Sequence, residues 1–143
     1  MIAVDSNVLV YAHRRDSRWH VPAREIIASL ACSPNAWAIP WPCVHEFYAI
    51  ATHPRVYAPP STATEAMDQI RAWRESSSLM LLAEDHAYWP VLESLIERSH
   101  FVGPVIHDAR IAALCLRHGA HELLTADRDF SRFPELTTRN PLL

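Results

Sequence analysis

Apolar residues in this chain come in short unbroken runs, separated by longer stretches with helical periodicity. Ile2-Ala3-Val4, Ala36 to Ile39 and Leu79 to Leu82 lack polar alternation and are too short for helices, so each reads as a strand, the first of them fully buried. Glu122 to Thr125 reads as a further strand, and the tail Leu136-Thr137-Thr138 as another. Helical spacing predicts helices over Asn7 to His13, Cys43 to Ala51, Tyr88 to Ser99 and His107 to Arg117. Another runs from a cap at Ser17, through Pro22 and Ile26-Ile27, to Ala31. Thr62 and Glu65 have capping-box spacing for a helix reaching Glu75. Pro40 closes the second strand, and Pro42 suits the first turn of the helix that follows. His53-Pro54, Ala58-Pro59-Pro60 and Gly103-Pro104 break the chain, and Gly119 suits a left-handed helix cap.

Strands that alternate with helical segments require crossover connections, which makes neighbouring strands parallel and puts helices on both faces. The expectation is an α/β three-layer α/β/α sandwich with a mainly parallel sheet of about four to five strands. Residues 1–143 suit a single domain, with no repeat, linker or low-complexity segment. In such sheets ligands bind beyond the carboxyl ends of the strands. Asp5 ends the first apolar run there, and Asp127 follows the fourth.

Two more acids occupy awkward places. Glu46 lies on a helix whose aligned neighbours are Cys43, Ala49 and Ile50, and Asp108 opens a stripe of Ile111, Ala112 and Cys115. A charge on an apolar face needs a partner, and Arg is scarce in these stripes. Each acid has a bland explanation. Asp5 suits a turn or cap before Asn7, Glu46 a buried ion pair, Asp108 a helix N-terminus, and Asp127 a turn. Converging carboxylates holding one or two divalent cations account for all four together. Asp129 is a secondary candidate ligand, with a turn or cap acid as the alternative. Ser6, Asn7 and Thr125 are placed to hydrogen-bond the carboxylates or metal-bound water.

Composition narrows the field. Half of the 143 residues are hydrophobic and 20% are charged, as in ordinary globular proteins. No apolar run approaches the roughly 20 residues of a membrane span, and an acid at position 5 does not suit a secretory signal, so a cytoplasmic protein is expected. The net charge of −3 gives no global nucleic-acid signature, and all 13 basic residues are Arg. Any cationic phosphate contact therefore falls to Arg or protonated His. Arg14, Arg15 and Arg18 cluster beside Trp19 and His20, while Arg110 and Arg128 neighbour the candidate ligands. For most of these, a solvated surface role is the simpler reading. Cys32, Cys43 and Cys115 form no CxxC pair and sit in apolar helical contexts, which predicts buried thiols rather than zinc ligands or disulfides.

Val4-Asp5-Ser6-Asn7-Val8-Leu9 resembles the opening of a PIN domain. Val44-His45-Glu46-Phe47, with Thr52-His53-Pro54-Arg55 after it, resembles the central acidic helix of VapC toxins. His107-Asp108-Ala109-Arg110-Ile111-Ala112-Ala113 and Leu124-Thr125-Ala126-Asp127-Arg128-Asp129-Phe130 resemble the two later acidic motifs. The chain is thus similar to the VapC toxins of type II VapBC toxin–antitoxin systems across nearly its whole length. The resemblance implies a PIN-like fold and an endoribonuclease dependent on Mg²⁺ or Mn²⁺. Its active acids would be Asp5, Glu46, Asp108 and Asp127. It also implies inhibition by a VapB-type antitoxin and a homodimer, for which the apolar residues near Trp37, Trp41 and Trp73 are candidates.

Other readings remain at this stage: a non-toxin PIN nuclease, a binding module for RNA or protein on the same fold, or a phosphatase with an aspartyl nucleophile after the first strand. The last commonly needs a second acid where Asn7 stands. His45-Glu46 opens an apparent zinc-protease motif, but Ala49 occupies its closing position. His118 and His121 suit partners of a helix C-terminus, His107 a substrate contact, and Asp85 a cap.

Overall fold

The computed structural model describes residues 1–143 and contains one five-stranded sheet of order β3-β2-β1-β4-β5. Its strands are β1 (Ile2–Val4), β2 (Trp37–Pro40), β3 (Leu79–Leu82), β4 (Glu122–Leu124) and β5 (Thr137–Arg139). Every neighbouring pair is parallel. Ile2 aligns with Trp37 on one side and with Glu122 on the other. The helices are α1 (Ser6–His13), α2 (His20–Cys32), α3 (Trp41–Ala51), α4 (Ala63–Arg74), α5 (Tyr88–Ser99) and α6 (Val105–Arg117). A short 3-10 helix, Arg128–Arg132, follows β4.

The chain steps outward from β1 to β2 to β3, then returns to place β4 on the other side of β1. Right-handed crossovers in opposite directions put helices on opposite faces. Accordingly α1 packs on α2 and α3, α3 packs on α4, and α5 packs on α6. The three-layer α/β/α sandwich expected from the sequence is the observed fold. The strand order reverses between β1 and β4, and in sheets of this kind ligands bind at such a switch point, beyond the strands' carboxyl ends. Asp5 and Asp127 follow these two strands.

The three central strands are apolar on both faces because helices cover both. Ala3, Val4, Trp37, Ala38, Ile39, Leu123 and Leu124 are all buried. Thr62 accepts a bond from the Glu65 backbone while the Glu65 carboxylate accepts from the Thr62 backbone, completing the capping box that starts α4. Gly119 takes φ 75° after α6, as its sequence position suggested.

Several local expectations are corrected. Ser17 does not cap α2. Its hydroxyl accepts from the Trp19 backbone N–H, and the helix begins at His20. α6 starts at Val105 rather than His107, because Pro104 serves as its N-cap and opens the helix instead of breaking it. β2 includes Pro40, and β5 extends to Arg139 with all its residues exposed, as an edge strand allows. Cys32 is exposed, although Cys43 and Cys115 are buried free thiols. Trp37 and Trp73 are only 0% and 7% exposed and belong to the core, so neither side chain can form a dimer surface. His118, the C-cap of α6, bonds the Ala83 carbonyl with its ring, and His121 bonds the N-terminal amine.

Candidate metal centre

Asp5 is the N-cap of α1, with extended backbone and its carboxylate accepting from the Ser6 N–H. It is 3% exposed, so its charge has to be satisfied internally. Oδ1 accepts from Ser6 N at 2.7 Å and from the Cys43 thiol at 3.5 Å. Oδ2 accepts from Thr125 Oγ1 at 2.8 Å and Asn7 Nδ2 at 3.2 Å. The second amide proton of Asn7 reaches Thr125 Oγ1 at 3.2 Å, and its Oδ1 accepts from Ala126 N at 3.1 Å. Thr125 Oγ1 also accepts from Asp127 N at 3.0 Å. Asn7 and Thr125 therefore tie α1 to the turn after β4, and that turn carries Asp127.

Ser6 has one hydroxyl proton. It goes to Glu46 Oε2 at 2.8 Å, leaving the 3.4 Å separation from Asp5 Oδ1 as a secondary contact. This bond aims the half-buried Glu46 at the centre and leaves its Oε1 uncommitted. No ion pair accounts for Glu46.

Asp127 accepts from Asp129 N at 2.8 Å, which starts the 3-10 helix. Phe130 and Phe133 anchor that helix in the core. Asp108 comes from the first turn of α6. One carboxylate oxygen from each of Asp108, Asp127 and Asp129 lies within 4.8 Å of the others. The tight trio therefore includes Asp129, which the sequence ranked second. Asp5 and Glu46 adjoin it, with Asp5 already saturated by donors. A carboxylate this enclosed is poorly placed as an aspartyl nucleophile.

The electrostatics record the convergence. Burial pushes the Asp5 carboxyl above its ordinary range against the pull of Thr125, Ser6 and Cys43, and Asp127 pushes it further. Burial likewise raises Glu46, with Asp5 and Asp108 adding to the rise and the Ser6 bond opposing it. Asp108 is raised by burial, then by Asp127, Asp5 and Asp129, with Arg132 opposing. The Cys43 thiol is pushed well up by burial and by the neighbouring acids, so it stays protonated and acts as a donor. Asp108, Asp127, Asp129 and Glu46 thus offer a converging set of hard oxygen donors. The all-oxygen chemistry fits Mg²⁺ or Mn²⁺ and not a soft metal.

The proposed RNA-contacting arginines separate. Arg14 has a side chain only 12% exposed, pairs with Asp16, bonds Ser61 and the Pro59 carbonyl, and lies 4.2 Å over the Tyr57 ring. It is committed to holding the Pro-rich loop on α1. Arg110 pairs with Glu84. Arg15 and Arg128 are exposed without a carboxylate partner. Arg132 is a cation near the acids that the sequence reading missed. Asp85 does not cap α5, whose N-cap is Ala87; it pairs with Arg117 and accepts from Ala87 N in the turn before the helix.

Residues 2–136 match the family model for the PIN domain. Ribonuclease VapC43 of Mycobacterium tuberculosis is 34% identical over 142 residues, covering 99% of this chain and 96% of that protein. Among solved structures, the chain resembles VapBC2 of Rickettsia felis, bound to a promoter DNA fragment, with TM-score 0.65 and 20% identity over 98% of both chains. It also resembles M. tuberculosis VapC20, described as a toxin that cleaves the sarcin–ricin loop. There the TM-score is 0.64, with 17% identity over 92% of this chain and 93% of that one.

Proposed function

The chain belongs to the PIN-domain family, and from that premise we propose that it is a Mg²⁺- or Mn²⁺-dependent endoribonuclease of the VapC toxin type, with residues 1–143 forming one catalytic domain. The observation that carries this reading is the close trio of Asp108, Asp127 and Asp129, with Asp5 and Glu46 adjoining it. The ribonuclease relative that matches over nearly its full length supports the RNA substrate.

Asp108, Asp127 and Asp129 would hold the ion through their open oxygens, and Glu46 through Oε1. When bound, the ion supplies charge neutralisation at the scissile phosphate and lowers the pKa of a coordinated water. Asp5 works from beneath. Its fixed charge and its links to Ser6, Asn7 and Thr125 set the positions of Glu46 and the Asp127 turn. Glu46 and Asp108 face water on one side and protein on the other, so each keeps its orientation without closing the crevice to RNA. The acids themselves repel phosphate, which makes cleavage depend on the cation.

The same acidic crevice suits inhibition by a peptide. A guanidinium from a VapB-type antitoxin would pair bidentately with these carboxylates. Similar folds occur in VapBC complexes, which supports this partner. A homodimer and a cytoplasmic location complete the proposal. Sedimentation of the purified chain tests the former. For the latter, no helix is long and apolar enough to cross a membrane.

Incubation of purified protein with total RNA in Mg²⁺, Mn²⁺ or EDTA, beside Asp108→Asn, tests the activity. Cutting with either metal, absent in EDTA and in the variant, is the expected result. Equal cutting by the variant would reject the assigned centre.

A further inference from the structure

We propose that Arg132 anchors an RNA backbone phosphate beside the carboxylate centre, an inference that rests on the ribonuclease reading above. In a 3-10 helix, side chains three residues apart eclipse one another. Phe130, within the turn, and Phe133, which closes it, are both buried and fix the inward side of the Arg128–Arg132 turn. Asp129 and Arg132 share the same spacing on an outward side. Asp129 contributes to the acidic trio, so the next side chain along that edge is placed beside the trio.

Arg132 is exposed, and no carboxylate lies within ion-pair distance of it. Arg14 and Arg110, which the sequence favoured, are bound to Asp16 and Glu84. A strand crossing this centre meets several negative groups at once. A free guanidinium at the edge offers its phosphates a bidentate partner and fixes their register without reading sequence. The competing role is a counter-ion for the acids, with no contact to RNA.

The two roles differ in what they do to RNA binding and to metal binding. The probe is a fluorescein-labelled single-stranded RNA of mixed sequence, titrated in EDTA across a salt series. The proteins are wild type, Arg132→Gln, Arg132→Lys and Arg71→Gln. Arg71 lies on α4 paired with Asp68, so its loss controls for net charge. Arg132→Gln should bind roughly fivefold more weakly and flatten the slope of log K against log salt by about 0.7, the value for one phosphate contact on a single strand. Arg132→Lys should keep the slope and lose part of the affinity. Arg71→Gln should change neither appreciably. If Arg132→Gln binds RNA as Arg71→Gln does, the inference is overturned. Tighter Mn²⁺ binding by Arg132→Gln with unchanged RNA affinity would also overturn it, in favour of the counter-ion. Wild-type protein that cuts no RNA with metal present would instead overturn the ribonuclease reading, and the binding comparison would still decide the role of Arg132.

Discussion

Thr125 Oγ1 donates to Asp5 Oδ2 at 2.8 Å, joining the ends of two adjacent strands across 120 residues of sequence. The hydroxyl has one proton and spends it here, while its lone pairs receive Asn7 and Asp127 N–H groups. Thr125→Val keeps the shape and removes all three roles. The buried carboxylate then lacks one donor and the Asp127 turn lacks its acceptor. A loss of about 1–3 kcal/mol in urea unfolding is expected, with cleavage reduced well beyond what the lost stability explains. Thr125→Ser should restore most of both. A valine variant as stable and active as wild type would show that the network does not organise the centre.

Asp108 gives a pH signature. Its folded pKa is raised above 3.8. The folded chain therefore holds this proton more tightly than the unfolded chain. The associated stability is complete below the ordinary carboxylate range and is lost as pH rises through the raised value. Asp108→Asn removes that penalty. In metal-free buffer near neutrality the variant should melt a few degrees above wild type, a gain of at most about 1 kcal/mol because the group is partly solvated. The difference should shrink as pH falls into the ordinary carboxylate range, where wild type takes up the proton too. Adding Mg²⁺ should raise the wild-type Tm and leave the variant nearly unmoved. A variant less stable than wild type at neutral pH without metal would contradict this electrostatic account.

Thr62 offers the opposite test, of stability without function. Thr62→Ala removes one side of the α4 capping box and should cost about 1 kcal/mol in thermal unfolding. The specific activity of the folded fraction should not change. A selective loss of cleavage would mean that α4 takes part in the site.

Much of this architecture was legible because burial leaves a plain mark. Unbroken apolar runs marked β1, β2 and β3, and acids at strand ends or on apolar helix faces singled out Asp5, Glu46, Asp108 and Asp127. What escaped depends on side-chain partners. Arg14 and Arg132 are both exposed-looking basic residues in sequence, and only the fold shows that one is pinned by Asp16, Ser61 and Pro59 while the other is free. The Phe130–Phe133 spacing was a usable signal. It suggests one helical turn with an inward face, which puts Asp129 and Arg132 on a common outward side. No such signal existed for the Cys43 thiol on Asp5, which depends on how α3 packs beside the start of α1.

Asp129 provides the sharpest distinction between a local turn acid and a member of the centre. As a turn acid it has no task for its side chain, since the bond that starts the 3-10 helix uses its backbone N–H and the carboxylate of Asp127. Asp129→Asn would then leave everything unchanged. As part of the trio within 4.8 Å, it contributes one of the few open anionic oxygens. The amide keeps the shape and removes the charge. Mn²⁺ affinity measured by calorimetry should then fall by roughly 10-fold or more, and the metal concentration needed for half-maximal cleavage should rise in parallel. The melting temperature of the metal-free protein should hold or rise slightly, because repulsion with Asp108 is relieved. Unchanged Mn²⁺ affinity would return Asp129 to the turn and leave the ion to Asp108, Asp127 and Glu46.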